Sequence, residues 1–174
     1  MNHKSHAAFT LIELVIVIAL LGILAAAAIP RMMTSYDSAH ESAVTATGGA
    51  LASAVILVRS QWISNGAPGA VDALAGYGLE NIATSTEGWP TDSGQNAQSS
   101  HATLVANDPE RCVRLWRALL VDNAPKVGLD ASDEQIDFVV DAPGGALCRF
   151  SYNRNKSNSR IEYNLSSGSV VTIL

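Results

Sequence analysis

Polar residues open the chain, an apolar run about as long as a membrane is thick follows, and the remainder has the mixed pattern of a folded domain. Phe9 to Ile29 is almost wholly apolar, broken only by Thr10 and Glu13, and Val15 to Ile29 carries no charge. As a helix this run would reach about 30 Å, roughly one hydrocarbon thickness. Only a helix satisfies every backbone group within such a segment. Pro30 removes one intrahelical hydrogen bond and favours a kink, yet the helical period continues. Met32, Tyr36, Ala39 and Ala43, then Leu51, Val55, Val58 and Trp62, recur at spacings of three and four. They predict one apolar stripe along a helix reaching about Trp62 and covering a C-terminal sheet, with Asp37, Glu41 and Arg59 on other faces. Gly48-Gly49 weakens that helix by about 1 kcal/mol per glycine, marking either a flexible point or a close packing contact.

After Trp62 the pattern changes. Ser64 to Gly69 is a turn signal, Ala70 to Ala75 suits a short helix, and Gly88 to Ser100 reads as an exposed polar loop. Asp108 suits an N-cap and Pro109 a first turn. They predict a helix to about Val121 that buries Cys112, Leu115 or Trp116, and Leu119. The end of the chain alternates like strands. Ile136–Val140 is one, followed by a turn at Pro143-Gly144-Gly145. Cys148, Phe150 and Tyr152 share a face of the next, and the polar run Arg154 to Ser159 makes a loop. Ile161, Tyr163 and Leu165 share a face of a third, and Ser166-Ser167-Gly168 turns into Val170–Leu174. The expectation is an α+β chain, a long helix packed on a four-stranded antiparallel meander.

The composition narrows the function. The chain has 174 residues and a net charge of −5, which argues against nucleic acid as a partner. Arg111, Arg114 and Arg117 form a row read as a solvated helix face. Cys112 and Cys148, an even pair behind an export-type N-terminus, suggest a disulfide. Two buried free thiols are the alternative. Their separation excludes a CxxC motif, and no zinc-ligand set assembles. His3, His6, His40 and His101 are scattered, no Ser/His/Asp set is recognisable, and no glycine-rich phosphate loop occurs. Asp130, Asp133 and Asp137 do not follow calcium-loop spacing. The expectation is a protein that is not an enzyme and has neither cofactor nor metal.

Two details do not fit a plain membrane anchor. Glu13 costs a few kcal/mol within a bilayer, on the order of 2–3 near its centre, so it needs a partner. Ala25 to Ala28 is a run of small residues that lets helices approach closely. A secretory signal peptide, with Lys4, an apolar stretch Leu14–Leu24 and cleavage at the alanine run, is the ordinary alternative. Glu13 at the front of that stretch speaks against it, as does the helical pattern past Ile29.

Ala8-Phe9-Thr10-Leu11-Ile12-Glu13 resembles the prepilin processing motif of type IV pilins and of type II secretion pseudopilins, with Gly22 and Pro30 also at family positions. The family usually has Gly where Ala8 stands. The resemblance implies a leader 1–8 removed at Ala8–Phe9 and methylation of the new N-terminus at Phe9. It also implies that Glu13 sets axial register during assembly, and that the helix is flexible between Gly22 and Pro30. It divides the chain into a transmembrane and filament-core helix 9–30, an amphipathic half 31–62 and a globular head 63–174. The implied partners are other copies of the subunit, a prepilin peptidase/methyltransferase, and an assembly ATPase with its inner-membrane platform. The implied location is the inner membrane with the head in the periplasm, then an extracellular pilus. A pseudopilin of type II secretion is the alternative. Gly88-Trp89-Pro90-Thr91 and the Cys148-x-Phe150-x-Tyr152 strand are similar to the mannose-sensitive haemagglutinin branch of pilins, which implies surface adhesion.

Overall fold

The computed structural model describes residues 9–95, 97, 107–121, 124–154 and 158–174. Helix α1 runs from Leu11 to Ser64 with Pro30 inside it. The chain divides into two compact units, one ending at Ala39 and the other spanning His40–Leu174, and α1 contributes to both.

In the second unit the rest of the chain folds as α+β. Strands β1 (Ile82–Thr84) and β2 (Pro90–Ser93) make an antiparallel hairpin. Helix α2 (Pro109–Leu119) comes next, then β3 (Val127–Gly128), β4 (Phe138–Gly144), β5 (Leu147–Tyr152), β6 (Arg160–Asn164) and β7 (Val170–Ile173). The last five strands form one sheet in sequence order, antiparallel except where β3 lies parallel to β4. The expected four-strand meander is present as β4–β7. The correction is the fifth strand, too short to show a period of two in the sequence. It is held by backbone bonds from Asp137 and Phe138 N–H to the Lys126 carbonyl, at 2.8 and 3.1 Å.

Alternation sorts the sheet into two faces. Phe138, Val140, Cys148, Phe150, Ile161 and Tyr163 point inward and are buried. Helix α2 starts as its sequence predicts: the Asp108 carboxylate accepts the Arg111 N–H at 3.1 Å, with Pro109 in the first turn. It buries Cys112, Leu115, Trp116 and Leu119. The Trp116 ring lies 4.5 Å from Phe150 and 5.3 Å from Phe138. A disulfide joins Cys112 to Cys148 on β5, with Cα atoms 5.6 Å apart. The outer face is polar, with Arg149 and Arg160 each 3.0 Å from Glu162. Burying each large apolar side chain of the inner face contributes about 1.5–3 kcal/mol.

Within this unit α1 packs inward through Val44, Leu51, Val55, Val58 and Trp62. The second half of the predicted stripe lies where expected, but the first half does not. Met32 and Tyr36 are exposed, as is Ala43. Followed backwards, the inward line passes through Gly48, Val44 and His40, so Met32, Tyr36, Ala39 and Ala43 fall on a different face. Gly48 is a close packing contact, because a Cβ there would overlap the Thr172 side chain on β7. Gly49 faces open space.

Two further expectations change. No helix forms over 70–75. Instead Val71 bridges Thr84 and the Leu74 N–H donates to Ile82 O at 2.8 Å, extending the β1–β2 hairpin. The predicted exposed loop over 88–100 contains a buried strand, β2. The Tyr163 hydroxyl holds it by donating to Pro90 O at 2.7 Å. The rest of that prediction, Asn96 and 98–100, lies outside the described residues.

Candidate functional site

The N-terminal part of α1 begins with a reciprocal cap. Thr10 is the residue before the helix and Glu13 is its third residue. The Thr10 N–H and the Thr10 hydroxyl both donate to Glu13 Oε2 at 2.8 Å. The Glu13 N–H returns a bond to Thr10 Oγ1 at 3.3 Å. This is the capping-box arrangement, which satisfies donors that a helix start leaves unpaired. A carboxylate in the first turn also suits the positive end of the helix dipole. The signal was in the sequence as Thr-x-x-Glu, but reading Glu13 only as a charge passed over Thr10.

From Leu11 to Ile29 the large apolar side chains stand exposed on every side, with Leu11, Ile12, Leu14, Ile23 and Leu24 all more than 60% exposed. Among the described residues, α1 is the one helix long and apolar enough to cross a membrane. A helix apolar all round is stable only in lipid or among other apolar helices. Gly22 faces open space and Pro30 sits within continuous helix, where its missing N–H leaves the Ala26 carbonyl without its usual partner. Phe9 precedes the helix and is 90% exposed. Ala8, Lys4 and the remainder of 1–8 lie outside the described residues, as does His101.

The other candidate groups are occupied by the fold. Asp137 accepts from Arg154 Nε at 2.7 Å and from the Lys126 N–H at 2.8 Å. Asp130 accepts from the Ser132 hydroxyl and N–H, which hold its carboxyl below the usual carboxylate range. Asp133 caps the Gln135 N–H at 2.8 Å. Among the described residues no group of three His, Cys, Asp or Glu is placed to hold a metal. His40 meets the Tyr152 hydroxyl at 2.8 Å. The arginine row is a solvated face only in part, because Arg114 and Arg117 are exposed while Arg111 turns inward. Arg111 is buried beside Asp108, and Arg114 grips Asp92 with bonds of 3.1 and 3.2 Å. Arg111 and Arg114 are drawn to Asp108 and Asp92, which converge at the start of α2.

Comparison with known proteins bears on this helix. The prokaryotic N-terminal methylation motif matches residues 3–29. The chain is 36% identical over 95 residues to the type IV narrow pilus major component PilA5 of Thermus thermophilus, a match covering 55% of this chain and 78% of that protein. No solved structure matches.

Proposed function

The chain belongs to the type IV pilin family, and on that premise we propose that it polymerises through its N-terminal helix into a cell-surface pilus used for attachment. The observation that carries this reading is the helix itself. Residues 11–29 expose apolar side chains all round, their one charge is the capped Glu13, and the methylation motif covers them. Support for a pilus rather than a secretion pseudopilus comes from the relative, whose name describes a major pilus component. Attachment rests on the resemblance around Trp89 and Cys148.

In this reading a prepilin peptidase/methyltransferase cuts Ala8–Phe9 and methylates Phe9. Thr10 and Glu13 both stay in the processed chain, so the cap survives cleavage. Both Thr10 bonds fall on Oε2, which leaves Oε1 to a neighbour's cationic Phe9 amine. Once that pair is buried among helices, slipping out of register strands a charge at about 3–5 kcal/mol. The subunit waits in the inner membrane with its head in the periplasm. An assembly ATPase acting through a membrane platform then adds it to the filament, and Gly22 and Pro30 give the helix local freedom.

The test combines mass spectrometry with imaging. The mature protein is expected to begin at methylated Phe9, and deleting the gene is expected to remove long surface filaments. Replacing Glu13 with Ala is expected to leave subunits in the membrane and abolish filaments. A secretion defect in cells that never carried filaments would instead assign the chain to a pseudopilus. A mature start near Ile29 would overturn both.

A further inference from the structure

Resting on the membrane stage of that reading, we propose that α1 between Leu24 and Tyr36 binds one anionic phospholipid, with the headgroup phosphate on the Arg31 guanidinium. Leu24, Ala27, Ala28, Arg31, Met32 and Tyr36 line a shallow groove of about 660 Å³ along the helix, an ordinary volume for a small-ligand site. The groove exists because small residues stand between large ones. Ala27, Ala28 and Ser35 lie among Leu24, Met32 and Tyr36. Its Leu24 end is wholly apolar and its Arg31 end holds one cation, the same division that a phospholipid has between acyl chain and phosphate.

Three observations say what fills it. First, the depth is right. The apolar run ends at Ile29, and Arg31 follows about 3 Å further along the axis at the helical rise. That is headgroup level when the run spans the hydrocarbon. A guanidinium has five donors in a fixed fork, which suits a phosphate. Tyr36, 62% exposed, adds the ring and hydroxyl that favour a membrane surface. Second, the charge is local. Arg31 is the only Lys or Arg between Lys4 and Arg59, so this cation is not one of a general basic surface. Asp37 and Glu41 come about 9 and 15 Å beyond it along the axis, more than a Debye length at physiological salt. The sign at headgroup level is therefore positive. Third, the backbone needs a donor nearby. Pro30 withdraws the N–H that the Ala26 carbonyl would accept, and an unpaired carbonyl is costly at the edge of hydrocarbon. The glycerol hydroxyls of a phosphatidylglycerol headgroup supply a donor, and phosphatidylcholine has none. Ser35 already donates to Arg31 O at 3.1 Å, so it brings no unmet hydroxyl to the groove. The bound headgroup fixes the depth of α1 in the bilayer and is given up when the subunit leaves the membrane.

The test uses the full-length chain in vesicles of phosphatidylglycerol and phosphatidylcholine in equal parts. All proteins carry Lys4→Gln, which removes the only other Lys or Arg before Arg59. Native mass spectrometry after mild detergent extraction counts the lipids that stay on the subunit. Phosphatidylglycerol is expected to be enriched over phosphatidylcholine, with one copy retained per chain. Arg31→Gln is expected to lower that enrichment roughly fivefold, the usual worth of one basic residue at an anionic surface. Arg31→Lys, which keeps a phosphate-binding charge, is expected to keep most of it. Lys126→Gln, a cation of the head and off α1, is expected to change nothing. Equal enrichment in Arg31→Gln overturns the site, as does an equal fall in Lys126→Gln. A loss as complete in Arg31→Lys as in Arg31→Gln makes Arg31 a packing residue and also overturns it. Displacement by inorganic phosphate, but not by chloride at the same ionic strength, would make this a general oxyanion site and overturn the lipid. Insertion into vesicles without enrichment overturns this site and leaves the filament reading intact. A chain that never enters vesicles overturns both.

Discussion

Adjacent glycines in one helix give an opposed pair of predictions. Replacing either Gly48 or Gly49 with Ala removes backbone freedom from the unfolded chain and favours the helix by about 0.5–1 kcal/mol. At Gly49 the new methyl meets open space, so Gly49→Ala is expected to stabilise the subunit by that amount. At Gly48 the same methyl would overlap the Thr172 side chain on β7. Thr172 must leave its preferred rotamer or α1 must lift off the sheet, and overpacking of this kind costs about 1–3 kcal/mol. Overpacking wins, and Gly48→Ala is expected to destabilise by a net ~1–2 kcal/mol. Shortening Thr172 to Ala makes room, because the Thr172 Cβ that remains is 3.4 Å away and Ile161 Cγ1 is 3.7 Å away, both ordinary contacts. Gly48→Ala in the Thr172→Ala background is therefore expected to turn stabilising, a coupling of about 2–3 kcal/mol. Urea unfolding of the detergent-solubilised chain, followed through tryptophan fluorescence, reads all four combinations. Equal stabilisation by both glycine substitutions would refute the packing argument and make Gly48 an ordinary flexible point.

Three other perturbations follow from the head. Replacing Cys112 and Cys148 together with Ala opens a loop with a sequence separation of 36, and the loop-entropy relation gives a loss of about 4 kcal/mol. Thermal unfolding of the double variant measures it, and a loss under about 1 kcal/mol would contradict that relation here. Glu162 is held below its usual carboxyl pKa first by its bond from Arg160 and also by Arg149. Its stabilisation is therefore complete above the unfolded carboxyl value, about 4.3, and is lost as pH falls through the lower folded value. Glu162→Gln is expected to flatten acid unfolding below about pH 4; an unchanged acid limb in a pH titration of stability would reject that link. Tyr163→Phe removes the buried hydroxyl that serves Pro90 O at 2.7 Å and is expected to cost about 1–3 kcal/mol. Hydrogen exchange should register the loss at the β1–β2 hairpin, and unchanged protection there would show that Pro90 has another anchor.

Local chemistry was legible in the sequence, whereas long-range pairing was legible only in part. Asp108-Pro109 marked the start of α2 because an N-cap is a matter of three or four neighbouring residues. Cys148, Phe150, Ile161 and Tyr163 marked the inner face because alternation is local too. β2 was hidden: Pro90-Thr91-Asp92-Ser93 reads as polar loop, and it is buried only because distant Tyr163 and Arg114 supply partners for Pro90 O and Asp92. The row Arg111-x-x-Arg114-x-x-Arg117 misled only at Arg111, which is buried beside the Asp108 cap of its own helix, while Arg114 and Arg117 stay exposed. β3 is two residues long, too few to carry a period. At the N-terminus, Thr10-x-x-Glu13 was within reach of a capping argument and needed only that the carboxylate be asked for its nearest donors.

A binary reading of α1 fails for a subtler reason. Counting Ser and Thr as polar gives the helix one apolar stripe and makes the rest of 42–64 look wetted. Hydrogen bonding changes that count. Ser53, Ser60, Thr45 and Thr47 each return their proton to the carbonyl four residues back, so each presents little more than a small methyl-like surface. Side chains that satisfy themselves behave towards a neighbour as apolar ones do, with none of the desolvation cost of an open hydroxyl. The same helix therefore shows a large-residue seam to its own sheet and a small, self-satisfied one to the outside. A lone soluble domain gains nothing from the second, because it gives up helix propensity to serine, threonine and glycine while leaving isoleucines in water. In the proposed filament, more protein around α1 would recover that cost.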